Sequence, residues 1–428
     1  MESPAEIDGT PPIRLVVSDD LGRSRATVCF RLLLAIPHLL WVSIWGLLAL
    51  LVAVVMWFAI LFTARSPRGL HDFVARFLRY ATHVNAYVFL AANPFPGFAG
   101  DPGTYPVDLE IEGPTRQSRL KALFRIVLAL PALLLASALS GPGSAGAFNG
   151  YVLTVLATVA FLGWFAALVR ARMPEGLRDL GTYAIGYGAQ TTGYVLLLTD
   201  RYPDSSPARV RPAQALPAHP VRLSLADELR RSRFVTLFRL LLAFPHLVWV
   251  SLWSVPATVA VVIGWVATLV TGRLPQALHR FLAAYVRYWS HLTLFLTLVG
   301  GPFPGFTGAP GRYPVDIEID PAMQQGRWSV LFRGVLAIPA LMIAGALSAV
   351  LFVVAVLGWL AALVLGRMPH GLRDIGATST RYQAQAYAYL ALLTPRYPYS
   401  CPAVAAPPEP VEEESPFALP PEPEPSAA

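Results

Sequence analysis

Charged residues and cysteines are both scarce in this chain, and each shortage excludes a class of protein. Of its 428 residues only 14% are charged and 55% are hydrophobic, whereas a soluble domain has roughly a quarter of its residues charged. A water-soluble globule is therefore not expected. The two cysteines, Cys29 and Cys401, have no CxxC or Cys/His spacing around them, so neither a disulfide framework nor a zinc site is predicted.

The charges that are present are mainly basic. There are 33 Lys and Arg against 26 Asp and Glu, a net charge of +7, and a group of the glutamates lies in the Pro-rich segment after residue 401. Beside long apolar runs, such a balance indicates a surface next to anionic lipid. Anionic membrane lipids and membrane proteins are therefore the expected partners. The aromatic stacking motifs of nucleic-acid-binding surfaces are lacking, so nucleic acid is not expected.

One pattern recurs four times along the chain. Each copy has a strand-like PVxLxI run, a Phe-Arg pair, a proline six residues after that arginine, a tryptophan and a long helical stretch. The copies define four membrane repeats between a flexible N-terminus and a disordered Pro/Glu-rich tail. The predicted boundaries are 1–11 for the N-terminus, 12–104, 105–211, 212–312 and 313–401 for the repeats, and 402–428 for the tail.

The apolar run of each repeat is too long for one perpendicular crossing. Residues 32–64, 240–272 and 334–366 contain no Asp, Glu, Lys or Arg. A helix of that length would measure about 50 Å, against a hydrocarbon core of about 30 Å. In repeat two a Gly/Pro/Ser-rich segment, 140–151, is inserted midway and indicates a turn. The sequence therefore predicts a two-helix transmembrane hairpin, with turns near Trp45-Gly46, Ser254-Val255-Pro256 and Leu347-Ser348.

These hairpins leave every Lys and Arg on one side, which the positive-inside rule makes the cytoplasm. We expect eight spanning helices in the cell membrane, both termini cytoplasmic, in a pseudo-fourfold or two-by-two-fold arrangement about the membrane normal. An amphipathic interfacial helix follows each hairpin, as the stripe of Asp72, Arg76, Arg79 and His83 indicates. The N-terminus has no basic segment followed by an apolar one, so no cleaved signal is expected.

The strand-like runs alternate in charge. Odd repeats carry Arg14 and Arg222, whereas the matching runs of even repeats carry Asp and Glu. Opposite charges favour pairing of neighbouring strands, so we expect a small cytoplasmic β-sheet in which odd and even strands lie side by side. The predicted fold class is mainly α and integral membrane. It has four tandem repeats, each of one short strand, a two-helix transmembrane hairpin and an amphipathic interfacial helix.

Three segments carry a resemblance to a known family. FRLLLAIPHLLWVSIWG, WFAILFTARSPRGLHDFVARFLRY and LLTDRYP resemble bacterial multi-pass membrane proteins known only as domain of unknown function four-three-eight-nine. The resemblance covers nearly all of residues 12–400 as four tandem units, and it implies a membrane protein of no assigned activity. No catalytic residue is carried over. Repeats two and four depart from the Pro-His pattern with Pro131-Ala132 and Pro339-Ala340.

Histidines of the odd repeats are the first candidate site residues. His38 and His246 lie inside the apolar runs, where ionisable groups are functional candidates by default. Weaker candidates for metal or haem lie at matching positions of the odd repeats: His71, His83, His279 and His291. These histidines could ligate haem or a metal ion, or relay protons. In the structural interpretation, a neutral His instead donates a hydrogen bond to a backbone carbonyl that the proline leaves without its helical partner. HxxxH and CxxCH spacings are absent, so no metal site or cofactor is predicted.

The Phe-Arg arginines are the second set of candidates. They could bind an anion or lipid headgroup by snorkelling, pair with an Asp of the following helix, or form a ring around a central axis. Arg280 replaces that Asp in repeat three. The arginines are Arg31, Arg125, Arg239 and Arg333, and the aspartates are Asp72, Asp179 and Asp374.

No catalytic motif accompanies these residues. The chain has no Walker loop, no GxGxxG after a strand, no GxSxG and no HExxH, so an enzyme is not predicted. The expected function is a non-enzymatic structural or accessory inner-membrane protein that organises lipid or partner proteins at the cytoplasmic leaflet. One alternative is a channel or transporter with its pathway between parallel repeats. The other is a haem-binding membrane electron-transfer protein.

Overall fold

A computed structural model describes residues 11–141, 154–207, 219–226 and 228–402. Most of the predicted N-terminal segment, the inserted segment of repeat two and the tail lie outside these ranges. Each repeat begins with a five-residue strand, as the four PVxLxI runs predict. The strands are β1 (Ile13–Val17), β2 (Val107–Ile111), β3 (Val221–Leu225) and β4 (Val315–Ile319).

The apolar run of each repeat forms the long helix. In repeats one, three and four it is unbroken: α1 (Arg25–Thr63), α8 (Arg239–Thr271) and α11 (Arg333–Leu365). In repeat two it comprises α4 (Arg125–Ser140) and α5 (Val155–Arg170). A five-residue helix precedes the long helix of repeats two, three and four: α3 (Arg119–Leu123), α7 (Arg233–Leu237) and α10 (Arg327–Leu331).

A 21-residue helix follows in each repeat and packs antiparallel on the long helix; we call it the return helix. Arg31 near the start of α1 contacts Tyr87 near the end of the return helix, while Trp45 contacts Phe73 near its start. The return helix, about 31 Å long, therefore runs alongside the long helix in the opposite direction. The four are α2 (Arg68–Val88), α6 (Glu175–Val195), α9 (Gln276–Leu296) and α12 (His370–Leu390).

The unbroken long helices show that the predicted transmembrane hairpin is wrong. Ser254 and Ser348, at two of the predicted turns, donate to Ser251 and Ala344 of their own helices at 2.7 and 3.0 Å. An apolar segment satisfies its backbone groups best by remaining helical, and the uncharged runs contain no polar loop that would end the helix. Basic residues therefore flank both ends of each long helix, and the hairpin no longer accounts for their placement.

Repeat two follows the same path in two pieces. Ser140 at the end of α4 donates to the carbonyl of Ala184 at 3.0 Å, midway along α6. A Cβ at Gly181, nearer the start of α6, would lie 3.3 Å from Val159 of α5. Because α6 runs antiparallel to both α4 and α5, these two helices lie one after the other along it. The single helix α11 lies along α12 in the same way. α5 therefore continues in the direction of α4.

Repeats pair head to tail, one with two and three with four. The start of α1 meets the end of α5, where Arg25 Nη2 donates to Val169 at 2.9 Å. The end of α1 meets α3, where Trp57 Nε1 donates to Ala122 at 2.9 Å. The second pair repeats both contacts, from Arg233 to Val364 and from Trp265 to Val330. The long helices of a pair therefore run in opposite directions about a local two-fold axis.

Each pair shares a two-stranded antiparallel sheet. β1 pairs with β2 and β3 with β4, which places Arg14 opposite Glu110 and Arg222 opposite Glu318. The predicted pairing of odd with even strands is confirmed, although the described strands form two separate sheets instead of one. β2 packs on α2 and β1 on α6, so the sheet joins the return helices of both repeats.

The even repeats join the two pairs, and the odd repeats lie outside. α11 packs on α4 and α5, and 50% of its most apolar 18-residue stretch is buried, compared with 28% in α1 and 17% in α8. Loops after the return helices cross between the pairs. Ser206 Oγ donates to Asp374 Oδ2 at 2.7 Å, and Cys401 Sγ lies 3.4 Å from Asp179 Oδ2.

Candidate functional site

The four Phe-Arg arginines occupy equivalent positions. Each is buried at the start of a long helix, where its guanidinium lies 4.1 to 4.4 Å from the centre of a ring at the end of the return helix. Each also donates to carbonyls just beyond that helix end, as Arg31 does to Ala92 at 2.9 Å. A cation is favourable there because the helix dipole is negative at its C-terminus. The rings belong to Tyr87, Tyr194, Phe295 and Tyr389.

The arginines do not meet each other or the predicted aspartates. In a pair, Arg31 and Arg125 lie at opposite ends of antiparallel helices, so no ring of four forms. Asp72 lies near the start of α2, about 22 Å of helix from Tyr87, and its side chain is 69% exposed. Arg125 instead lies 3.5 Å from Asp200. Asp179 and Asp374 accept hydrogen bonds from the arginines that precede them, Arg178 and Arg373.

His38 and His246 each form the centre of an aromatic cluster. His38 Nδ1 is 2.7 Å from the hydroxyl of Tyr80, and its ring stacks on Phe98 at 4.3 Å. His246 makes the same contacts with Tyr288 and Phe306, at 2.7 and 4.1 Å. Both imidazoles are buried, and their Nε2 atoms have no hydrogen-bond partner among the described residues.

The even repeats replace this cluster with a different bond. Ala132 and Ala340 occupy the histidine positions, and Tyr202 and Tyr397 replace the first phenylalanine of the loop beyond the return helix. The tyrosine hydroxyls lie beside the backbone of those alanines. The sequence signal for this exchange is the loop itself, which reads PFPGF in odd repeats and RYP in even ones.

His83 and His291 bond to the strands of the even repeats. His83 Nε2 is 2.7 Å from Asp108 Oδ1, and His291 Nε2 is 2.6 Å from Asp316 Oδ1. The amide of Gly311 also donates to Asp316, at 2.6 Å. Burial raises the pKa of Asp316, but the bonds from His291, Gly311 and Ile317 outweigh it and leave that pKa below its ordinary value. These contacts hold the sheet to the return helix.

The weaker metal or haem candidates do not converge. His71 and His83 are twelve residues apart on α2, about 18 Å of helix. His279 lies in the first turn of α9, buried at the wall of a cavity. Within the described ranges, no group of three or more His, Cys, Asp or Glu side chains is placed to hold a metal ion.

One family model matches the chain in all four repeats. The family is described as "Domain of unknown function (DUF4389)", and the matched segments are residues 25–99, 145–205, 233–305 and 327–401. Each segment falls within one of the four predicted repeats. No curated protein and no solved structure matches the chain.

Proposed function

The chain belongs to this family of unknown function, and we propose that it is a non-enzymatic membrane protein that organises lipid or partner proteins at the cytoplasmic leaflet. The observation that carries the proposal is the apolar surface of the outer helices. Three helices, α1, α8 and α11, are long and apolar enough to span a membrane, and two of them bury less than a third of their most apolar stretch.

The outer helices expose mainly apolar side chains. The buried residues of α1 form one stripe against α2, and leucines elsewhere on its surface are exposed, among them Leu33, Leu40 and Leu47. Soluble monomers rarely expose contiguous apolar patches larger than a few hundred Å². Hydrocarbon is therefore the expected surrounding of α1 and α8.

We infer that the long helices lie along the membrane plane, immersed in one leaflet, instead of crossing it. The sheets pack midway along the return helices, and they expose ion pairs such as Arg14 with Glu110 and Arg222 with Asp320. In a perpendicular orientation these charges would be near the bilayer centre, where they are costly. Helices in the plane leave the sheets free to face water.

This orientation also accommodates helix length and charge. A helix of about 50 Å is longer than the hydrocarbon core of about 30 Å is thick. The thickness of the bilayer sets no limit on the length of a helix that lies in the membrane plane. Basic residues at both helix ends, such as Arg25 and Arg65, then reach the same cytoplasmic headgroups, in agreement with the positive-inside rule. The local two-fold axis of each pair becomes the membrane normal, and the termini remain cytoplasmic.

Vesicle flotation with sided proteolysis tests this proposal. Inside-out membrane vesicles should retain the protein after high-salt and carbonate washes, and protease should reach loops of both helix ends, such as 64–67 and 170–174. Right-side-out vesicles should protect both. Cleavage of either loop from the outside would overturn the in-plane orientation, and release by carbonate would overturn membrane immersion.

The unpartnered Nε2 atoms of His38 and His246 favour a second candidate function, a transporter in which these imidazoles relay protons. Its test is flux in proteoliposomes containing the double variant His38→Ala and His246→Ala. Loss of a measurable proton or ion flux in that variant would support transport. Equal flux, or none in the unmodified protein, would remove this candidate.

A further inference from the structure

A cavity of about 920 Å³ opens where α8 ends and α9 begins. Its charged lining is entirely basic, with Arg273, Arg280 and Arg287 beside His279, and none of its described lining residues is acidic. The remaining wall is mostly apolar or small, from residues 307–310 and from the segment after β4. The cavity is therefore a cationic recess with a largely apolar wall.

Two of these polar side chains are fixed inside the wall. Arg287 is buried, donates to Ile317 at 2.9 Å and to Gly308 at 3.0 Å, and lies 3.7 Å from Asp316. His279 is 6% exposed, and the backbone of Leu393 and Asp320 lies beside its ring. Arg287 therefore contributes a fixed positive charge to the wall.

The other two arginines supply charge at the mouth of the cavity. Arg273 and Arg280 are exposed, and among the described residues no ion pair links either to a carboxylate. A guanidinium binds phosphate through two parallel hydrogen bonds. The cavity also has the size range of pockets that hold small molecules and headgroups.

We propose that this cavity binds the phosphate group of an anionic ligand, held by Arg273 and Arg280. A phospholipid headgroup is one source and free phosphate is another. The headgroup source rests on the proposed membrane location. The cavity lining includes Thr271, the last residue of α8, and the preceding Val270 is exposed and would lie beside the acyl chains.

Repeat one supplies an internal control. His71 and Arg79 match His279 and Arg287, but Asp72 stands where repeat three has Arg280. The mainly exposed Asp72 carboxylate opposes an anion at that position. Repeat one also has Arg68 and Arg76 where repeat three has Gln276 and Ala284, so the contrast concerns the Arg280 position alone. We therefore expect a phosphate contact at that position in repeat three and none at Asp72 in repeat one.

The test measures binding of spin-labelled phosphatidylglycerol to the full-length protein in phosphatidylcholine nanodiscs. Arg280→Asp, which copies repeat one, should weaken binding about tenfold, equivalent to a change of one decade in the dissociation constant. Arg76→Asp changes net charge equally but lies in repeat one, so its binding should remain within about twofold of the unmodified protein. Arg273→Gln should also weaken binding, and Arg280→Lys, which keeps the charge but not the two parallel hydrogen bonds, should retain only part of it.

Inorganic phosphate provides the second arm. Competition with the labelled lipid at millimolar phosphate assigns the site to phosphate itself, whereas lipid binding without competition assigns it to the headgroup. Equal losses in Arg280→Asp and Arg76→Asp, or no loss in either, would overturn the proposal. If the protein fails to float with vesicles, the proposed function fails, while phosphate binding to the protein in detergent still tests the cavity separately.

Discussion

Odd and even repeats share one succession of strand, long helix and return helix, yet they lie in different surroundings. The most apolar stretches of α1 and α11 have equal mean hydropathy, although α11 is buried nearly twice as much. Hydropathy does not separate them because lipid and protein interior are both apolar. The difference resides in polar details, namely His38 against Ala340 and a PFPGF loop against RYP.

The loops explain how the even repeats became central. In odd repeats the loop folds back so that Phe98 covers the histidine of its own long helix. In even repeats the tyrosine lies beside the backbone of its own long helix, and the residues after it reach the other pair, as Ser206 reaches Asp374. The loop sequence thus distinguishes the repeats that lie outside from those that join the two halves.

The largest difference in stability between inner and outer helices is expected when one buried side chain of α11 is shortened. Leu357 of α11 is buried, and the equivalent Val55 of α1 is exposed. Leu357→Ala should lower the free energy of unfolding by about 2–5 kcal/mol, through lost contacts and a residual cavity. Val55→Ala should have little effect. Thermal unfolding in detergent measures both, and equal losses would contradict the assignment of inner and outer helices.

The sheet contact should have the next largest effect, with a defined pH dependence. The pKa of Asp316 is lowered in the folded protein, so its contribution is present above its unfolded pKa of about 3.9 and lost as pH falls through the folded value. Asp316→Asn should cost about 1.5–3 kcal/mol near pH 7. The difference from the unmodified protein should shrink below about pH 4, and a gap independent of pH would contradict this assignment.

Replacing His38 of repeat one with the alanine of the even repeats tests the role of the aromatic cluster in odd repeats. His38→Ala leaves the buried Tyr80 hydroxyl without its partner and should cost about 1–3 kcal/mol. Adding Tyr80→Phe removes that hydroxyl and should recover part of the loss. Unfolding of the single and double variants gives the coupling energy, and strictly additive losses would argue against the bond.

The smallest effect is expected at the strand surface. Arg14 and Glu110 form an exposed ion pair, and such pairs contribute roughly 0–1 kcal/mol. Arg14→Ala should therefore leave the unfolding midpoint nearly unchanged, and added salt should mask the remaining difference. A loss comparable to that of Asp316→Asn would show that the sheet depends on this surface pair.

Sequence reasoning predicted what depends on local spacing. The four repeats, the strands and the pairing of Arg14 with an acidic strand follow from periodic positions and charges. The path of the apolar run could not be predicted, because an uncharged segment is compatible with one helix or with two. The contact of Arg31 with Tyr87 was missed for another reason. It joins two ends of one repeat, and only the antiparallel return helix brings them together.

The depth of α1 in a bilayer tests the central claim most directly. Spin labels at Leu33, Leu40, Leu47 and Val54 all replace exposed side chains, in a background with Cys29→Ser and Cys401→Ser. Collision with oxygen and with a nickel chelate reports the depth of each label in reconstituted vesicles. An unbroken helix in the membrane plane predicts one common depth within a single leaflet. A profile that passes through the bilayer centre and emerges at the opposite surface would contradict it.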